Sequence, residues 1–164
     1  MMEYDPIVEK IKNLLTENSC WFETFEHAPV RTSEEASKIR TGYSIEQGAK
    51  SIIARVKESG KGKRFVMFVL SGDKKFDEEK IKNQFGLTDI RFATEEEVKN
   101  LTGGVLPGGV PPFGNLFNFE VYADTDLLKN EKIVFNAGDK SFSIAMKSRD
   151  YIKLIKPIVG PFIQ

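Results

Sequence analysis

Side chains that usually perform covalent chemistry are scarce in this 164-residue chain, which has one histidine, His27, and one cysteine, Cys20. A Ser–His–Asp arrangement would have to use His27, and the G-x-S-x-G elbow that presents a nucleophilic serine is absent. One histidine and one cysteine do not build a usual zinc site, although an all-carboxylate metal site stays open. The chain is instead rich in backbone specialists. TGGVLPGGVPPFGN, from Thr102 to Asn115, packs five glycines and three prolines into fourteen positions. Glycine allows another molecule to approach the main chain, and proline fixes φ and removes a donor. A rigid path with amides pointing into one space can grip a carbonyl oxygen, a carboxylate or a phosphate. The same composition also suits a structural loop that reverses the chain between a helix and a strand, and both readings stand at this level. The stretch is not a G-x-x-x-x-G-K-[ST] phosphate loop, nor a dinucleotide fingerprint, because no strand leads directly into it.

Elements must hold that loop in place. DPIVEKIKNLLTEN reads as an amphipathic helix, with Asp5 as its cap, Pro6 at its first position and Ile7, Ile11, Leu14 and Leu15 on one side. CWFETFEH is strand-like, and RTSEEASKIR carries Thr32 and Glu35 at capping-box spacing. KSIIARVK and FVMFVLSG read as two strands around the turn GKGKR. FDEEKIKNQFG and TEEEVKNLTG read as helices, the first ending at Gly86, with TDIRFA as a strand between them. After the loop come strand-like LFNFEVYA, a polar DTDLLKNE, strand-like KIVFNAG and SFSIAMK, and a last helix in SRDYIKLIKP. This interleaving lacks a regular βαβ rhythm. It predicts an α+β domain with a mixed, largely antiparallel, curved sheet and flanking helices. The length fits one domain, read as an N-terminal helix over 1–19 packed on a domain over 20–164.

Lys and Arg total 24, as do Asp and Glu, which excludes a generally basic nucleic-acid coat but not a local patch. GKGKR puts three positive charges on a hairpin tip, readable as a phosphate contact or as a solvated turn. Cys20 beside Trp21 reads as inert packing. A single cysteine, an acidic start without an apolar signal core and no long apolar run predict a cytoplasmic protein with no membrane partner.

The stretch GGVPPFG, Gly108 to Gly114, resembles the G-x-x-x-P motif of the YbaK/prolyl-tRNA-synthetase-associated domain family, here Gly108 to Pro112. Three other segments match that family in order and spacing: HAPVRTSEEA from His27, GAKSIIARV from Gly48, and IVFNAGDKSFSIAMKSRDYIKLIKP from Ile133. The similarity covers about residues 20 to 160. A second copy of the motif, Gly103 to Pro107, lies just upstream, and PPFG completes the later copy. The resemblance implies a freestanding deacylase that hydrolyses the ester of mischarged aminoacyl-tRNA. Its partners would be the tRNA acceptor end and, as the family allows, a tRNA synthetase. No cofactor is implied. In the family's scheme the terminal ribose hydroxyl of the tRNA helps to activate water, while the protein supplies position and electrostatics. Carried onto this chain, the amides at Gly108, Gly109 and Val110 would hold the ester carbonyl and Pro112 would stiffen the loop. Lys50 would contact the terminal phosphate or ribose. His27 is readable as a pocket residue or as a satisfied histidine before a turn. Asn136, Ala137 and Gly138 read as a tight turn that lines the amino-acid pocket or merely closes a hairpin. A catalytically silent adaptor, and a hydrolase of another small acyl or phosphorylated metabolite, are the competing functions.

Overall fold

The computed structural model describes residues 4–29, 40 and 42–164. The segment RTSEEASKI, with Thr32 and Glu35, lies outside the described residues. Helix α1 (Ile7–Glu17) starts where the Asp5 carboxylate accepts the Ile7 N–H at 2.9 Å. Ile7, Val8, Ile11 and Leu15 share its buried face, the spacing an amphipathic helix needs. Strand β1 (Phe22–Glu26) follows. Next come β2 (Ala49–Glu58) and β3 (Gly62–Ser71), a long antiparallel hairpin in register from Ala49–Ser71 to Glu58–Gly62. Helix α2 (Glu78–Phe85) ends at Gly86, whose φ of 69° is left-handed. Strand β4 (Leu87–Phe92) pairs antiparallel with β2, and α3 (Glu95–Thr102) opens with a full Thr94–Glu97 capping box.

Three-residue and four-residue 3-10 turns at Pro107–Gly109 and Gly114–Phe117 carry the chain through the glycine–proline stretch to β5 (Val121–Asp124). The strand expected over LFNFEVYA is therefore only its second half. Asn118 at φ 61° breaks the apparent alternation, although Phe119 is still buried. The polar DTDLLKNE holds a short helix, α4 (Thr125–Leu128), capped by the Asp124 carboxylate. Strands β6 (Lys132–Asp139) and β7 (Phe142–Lys147), helix α5 (Ser148–Ile155) and β8 (Ile158–Gly160) complete the order.

Hydrogen bonding divides the strands into two sheets. One is antiparallel, in the order β1-β7-β6; the other is mixed, in the order β4-β2-β3-β5-β8, with β3-β5 and β5-β8 parallel. A parallel bridge between Gly48 and Val134 joins them. The fold is thus α+β with mixed, largely antiparallel strands, as expected, but the strands form two linked sheets where one was expected. Residue alternation along β2 and β3 feeds two cores. Ile53, Met67 and Val69 join α1, β6, β7 and Tyr151 in one, and Ala54, Val56, Val66, Phe68 and Leu70 join α2 and Phe162 in the other. No helix of the described residues is long and apolar enough to cross a membrane.

Candidate functional site

The glycines of the quoted stretch serve different ends. Gly103, at φ 73°, is the left-handed cap of α3 and donates its N–H to Lys99 O, so the upstream motif copy is spent on ending a helix. Gly109 is needed for close approach. A Cβ there would lie 3.3 Å from the Gly138 carbonyl carbon and oxygen. The loop therefore packs main chain against main chain on β6.

Its amides are unequal. Gly109 N–H donates to Leu106 O at 2.8 Å and Val110 N–H to Pro107 O at 3.4 Å, which closes the 3-10 turn. Among the described residues the Gly108 N–H makes no hydrogen bond, and Gly108 is exposed. Pro112 is buried, and its carbonyl accepts the Tyr151 hydroxyl at 2.7 Å. Tyr151 is fully buried, and burial raises its phenol far above the ordinary tyrosine value. Phe113 is likewise fully buried in the core beside Phe135.

Asn136 to Gly138 do not form the expected turn. They lie inside β6, and the turn proper is Lys140–Ser141. The register shifts between Asn136 and Asp139, and Gly138 takes φ 103°, the left-handed bulge residue that lets a strand kink without ending. Ala137 points into the core and is fully buried. A Cβ on Gly138 would lie 1.6 Å from Ile7 Cγ2, so α1 sits directly on the bulge. Gly104, Leu106, Gly109, Gly138, Asp139 and Lys140, with Asp5 and Pro29, line a cleft of about 400 Å3.

A buried polar network fixes the loop from the other side. Asn136 Nδ2 donates to Gly108 O at 2.8 Å. Asn136 Oδ1 accepts from Arg40 Nη2 at 3.0 Å and lies 3.2 Å from Ser143 Oγ. Arg40 Nε donates to Ser143 Oγ at 3.1 Å. His27 Nε2 is 2.8 Å from the same hydroxyl, and His27 Nδ1 is 2.9 Å from Ala28 O. A carbonyl only accepts, so in the neutral ring Nδ1 carries the proton and Nε2 accepts from Ser143. This makes His27 a satisfied, half-buried member of the network. Arg40 is 5% exposed, and loss of hydration pulls its guanidinium down to about 10.

Lys50 is half-buried on β2 and donates to Lys74 O at 2.6 Å. Burial lowers its ammonium below the usual lysine value, while Asp73 pushes the other way. Lys50 does not line the cleft. Its relation to the loop runs through strand register. Gly48 and Val134 are bridged in parallel, so Lys50 and Asn136 each lie two residues beyond the bridge. Alternation puts both on the face opposite Ala49, Ile53, Ile133 and Phe135. A Cβ on Gly48 would lie 3.5 Å from Arg40 Nη1, so the guanidinium bonded to Asn136 reaches over Gly48 on that face.

Arg40 and Ser143 are absent from the sequence reading. Both lie in the quoted segments RTSEEASKIR and IVFNAGDKSFSIAMKSRDYIKLIKP, but an arginine's burial leaves no mark on local spacing. At the other candidate positions the chemistry is ordinary. Lys61 and Arg64 of the GKGKR tip pair with Glu58, and Arg64 also pairs with Glu120. Burial raises the Cys20 thiol, which disfavours the thiolate. Among the described residues no cluster of histidine, cysteine and carboxylates could hold a metal ion.

Comparison with known proteins fits this architecture. A family model described as the aminoacyl-tRNA editing domain matches residues 27–154. The multifunctional Ser/Thr-tRNA deacylase ProXp-y of Escherichia coli strain K12 is 31% identical over 150 residues, covering 91% of this chain and 88% of that one. The prolyl-tRNA editing protein ProX of Acetoanaerobium sticklandii is 27% identical over 135 residues, covering 80% and 79%. A solved structure described as a trans-editing enzyme for prolyl tRNA synthetase superposes with a TM-score of 0.80 and 26% identity over 99% of both chains. This chain belongs to the aminoacyl-tRNA editing domain family, the YbaK/ProX deacylases.

Proposed function

We propose that the chain hydrolyses the ester of mischarged aminoacyl-tRNA in trans, with the 3′-terminal aminoacyl-adenosine laid between the Gly108–Pro112 loop and Lys50. The observation that carries this reading is the loop itself. Gly108 is exposed with its N–H uncommitted among the described residues, and its carbonyl is held by Asn136. The Gly108 N–H is the donor for the ester carbonyl as it gains negative charge. The amides of Gly109 and Val110, already bonded in the turn, fix the geometry of that donor and do not bind the ester themselves. A preorganised donor costs no reorganisation when charge develops.

Pro112, tied to Tyr151, stiffens the far end of the loop. Lys50 and Arg40 supply positive potential on one face, Lys50 for the terminal phosphate or ribose. The ribose hydroxyl beside the ester assists the attacking water. The acyl side chain enters the cleft beside the packed Gly109 and Gly138, toward Gly104 and Leu106, while Asn136 and His27 hold the loop through the polar network and Ala137 fills the core. Since the relative from Escherichia coli is a Ser/Thr-tRNA deacylase, seryl and threonyl esters head the panel, with alanyl, cysteinyl and prolyl esters beside them.

The test is ester loss from that panel of mischarged tRNAs, repeated with Lys50→Ala and Gly108→Ala. A Cβ at Gly108 would meet only the flexible end of Lys140, at 2.5 Å from Cε, so that variant folds while its methyl obstructs the substrate. Each substitution lowers kcat/KM by about 10²-fold. Activity that survives both removes the site assignment, and tRNA binding without ester loss in the wild type favours the adaptor.

A further inference from the structure

A second cleft, of about 350 Å3, lies at the start of α5 and is lined by Lys129, Asn130, Glu131, Lys147, Ser148 and Arg149. Three cations stand against one exposed carboxylate. Lys129 shares its charge with Asp126 at 3.1 Å, whereas Lys147 and Arg149 make no ion pair among the described residues. No side chain caps the helix. The Ser148 N–H is spent on Glu131 O at 2.9 Å, and the next amides, of Arg149 and Asp150, are the donors that a helix start leaves open. The second observation is Ser148 itself. Its side chain is buried at 3% exposure, and its Oγ has no hydrogen-bond partner. A buried hydroxyl without a partner is costly, and a ligand that accepts its proton removes the cost. Two unpaired cations, helix amides and a hydroxyl are all donors, so the matching ligand is an anion with several oxygens, a phosphate group.

The cleft is also tied to the reaction. Lys147 lies four residues along β7 from Ser143, roughly 13 Å at ~3.3 Å per residue, on the same face of the strand. One turn into α5, Tyr151 braces the loop at Pro112. We propose that this cleft takes a backbone phosphate of the tRNA acceptor strand, a short step from the aminoacylated end; the proposal rests on the deacylation reading above.

The experiment compares two esters of the same amino acid, full aminoacyl-tRNA and 3′-aminoacyl-adenosine, which lacks the strand. In the Lys147→Ala/Arg149→Ala double variant, kcat/KM on aminoacyl-tRNA falls about tenfold through KM, and the slope of log affinity against log salt shrinks by about one. Hydrolysis of aminoacyl-adenosine is unchanged. Ser148→Ala weakens tRNA binding less and leaves the slope alone, because the hydroxyl is neutral. Equal losses on both esters, or unaltered tRNA kinetics and slope, overturn the proposal. If the wild type hydrolyses neither ester, the deacylation reading fails separately, and the cleft is judged by the affinity and salt slope of uncharged tRNA. There, a weaker affinity and smaller slope in the double variant support the site. Saturable shifts of the Arg149 and Asp150 amides by inorganic phosphate, with tRNA affinity unchanged in the double variant, assign the cleft to free phosphate and overturn the strand assignment.

Discussion

Asn136→Ala is the perturbation that best separates a loop held for catalysis from a loop that merely turns the chain. The side chain makes one bond to Gly108 O and accepts from Arg40, with Ser143 close by. Removing it deletes one neutral hydrogen bond and one to a charged donor. It also strands a guanidinium N–H that is almost wholly buried. A neutral bond contributes about 1 kcal/mol net and a charged one about 1.5–3, which sums to roughly 3 kcal/mol. For a chain of this size each kcal/mol moves Tm by about 2–4 °C, so a fall of about 6–12 °C is expected. The Gly108–Gly109 peptide then loses the anchor that fixes its plane, and a displacement of about 1 Å at a reacting centre costs on the order of 10²-fold in rate. Thermal unfolding supplies the first number. Single-turnover deacylation, at a temperature where wild type and variant are both folded, supplies the second. Ser143→Ala is the control, since it damages the same network without touching the loop carbonyl; it lowers Tm and leaves the single-turnover rate near wild type. An Asn136→Ala protein that melts early yet turns over at the wild-type rate refutes the claim that this side chain holds the reacting loop.

Two further predictions concern stability. Gly138→Ala places a methyl on a left-handed residue and into Ile7 of α1, so it destabilises by several kcal/mol, more than the roughly 1–3 kcal/mol of ordinary overpacking; a denaturation midpoint within error of wild type counts against the α1–bulge contact. Arg91 and Thr94 hold the Glu97 carboxyl down at about 2, against an ordinary 4.5. A depressed folded value means stability that is fully present above pH 4.5 and is lost as pH falls towards 2. Glu97→Gln, which keeps the capping box, therefore lowers Tm near neutrality, and its difference from wild type closes across that window. A difference independent of pH sinks the assignment.

Much of the scaffold was legible because local chemistry announces it. Gly86 specifies a helix end and acts as read, and TEEEVKNLTG is the helix expected, opened by a Thr94–Glu97 capping box. Alternation in KSIIARVK and FVMFVLSG yields the central hairpin. Where a pattern has two physical meanings, the reading went astray. Asn136-Ala137-Gly138 has turn composition, yet the left-handed glycine serves a bulge, because continued pairing of β6 with β7 outweighs the local preference. Apolar residues from Leu116 to Phe119 alternate like a strand, but the left-handed Asn118 sends them inward as a turn. The loop was identifiable from composition, and its bonding was not. That two of its three amides are spent internally depends on dihedral angles no residue name reveals. Arg40 was hidden for a related reason: its partners, Asn136 and Ser143, lie about a hundred positions away.

These features share one cause. On the proposed reading, a chain with one histidine and no nucleophile elbow places its reactivity in peptide groups, and peptide groups cannot be tuned by exchanging side chains. They can only be aimed. Here the aiming is done from behind by an asparagine held on a buried arginine, from below by a glycine pressed on a bulge, and from the end by a tyrosine bonded to Pro112. None of these side chains needs to touch the scissile bond. Sensitivity to mutation should therefore run opposite to that of a triad hydrolase. Substituting the titratable groups at the rim of the cleft, Asp139 and Lys140, should cost little, whereas removing Asn136 or filling the space at Gly109 should cost most of the rate, because each moves the one amide that remains open.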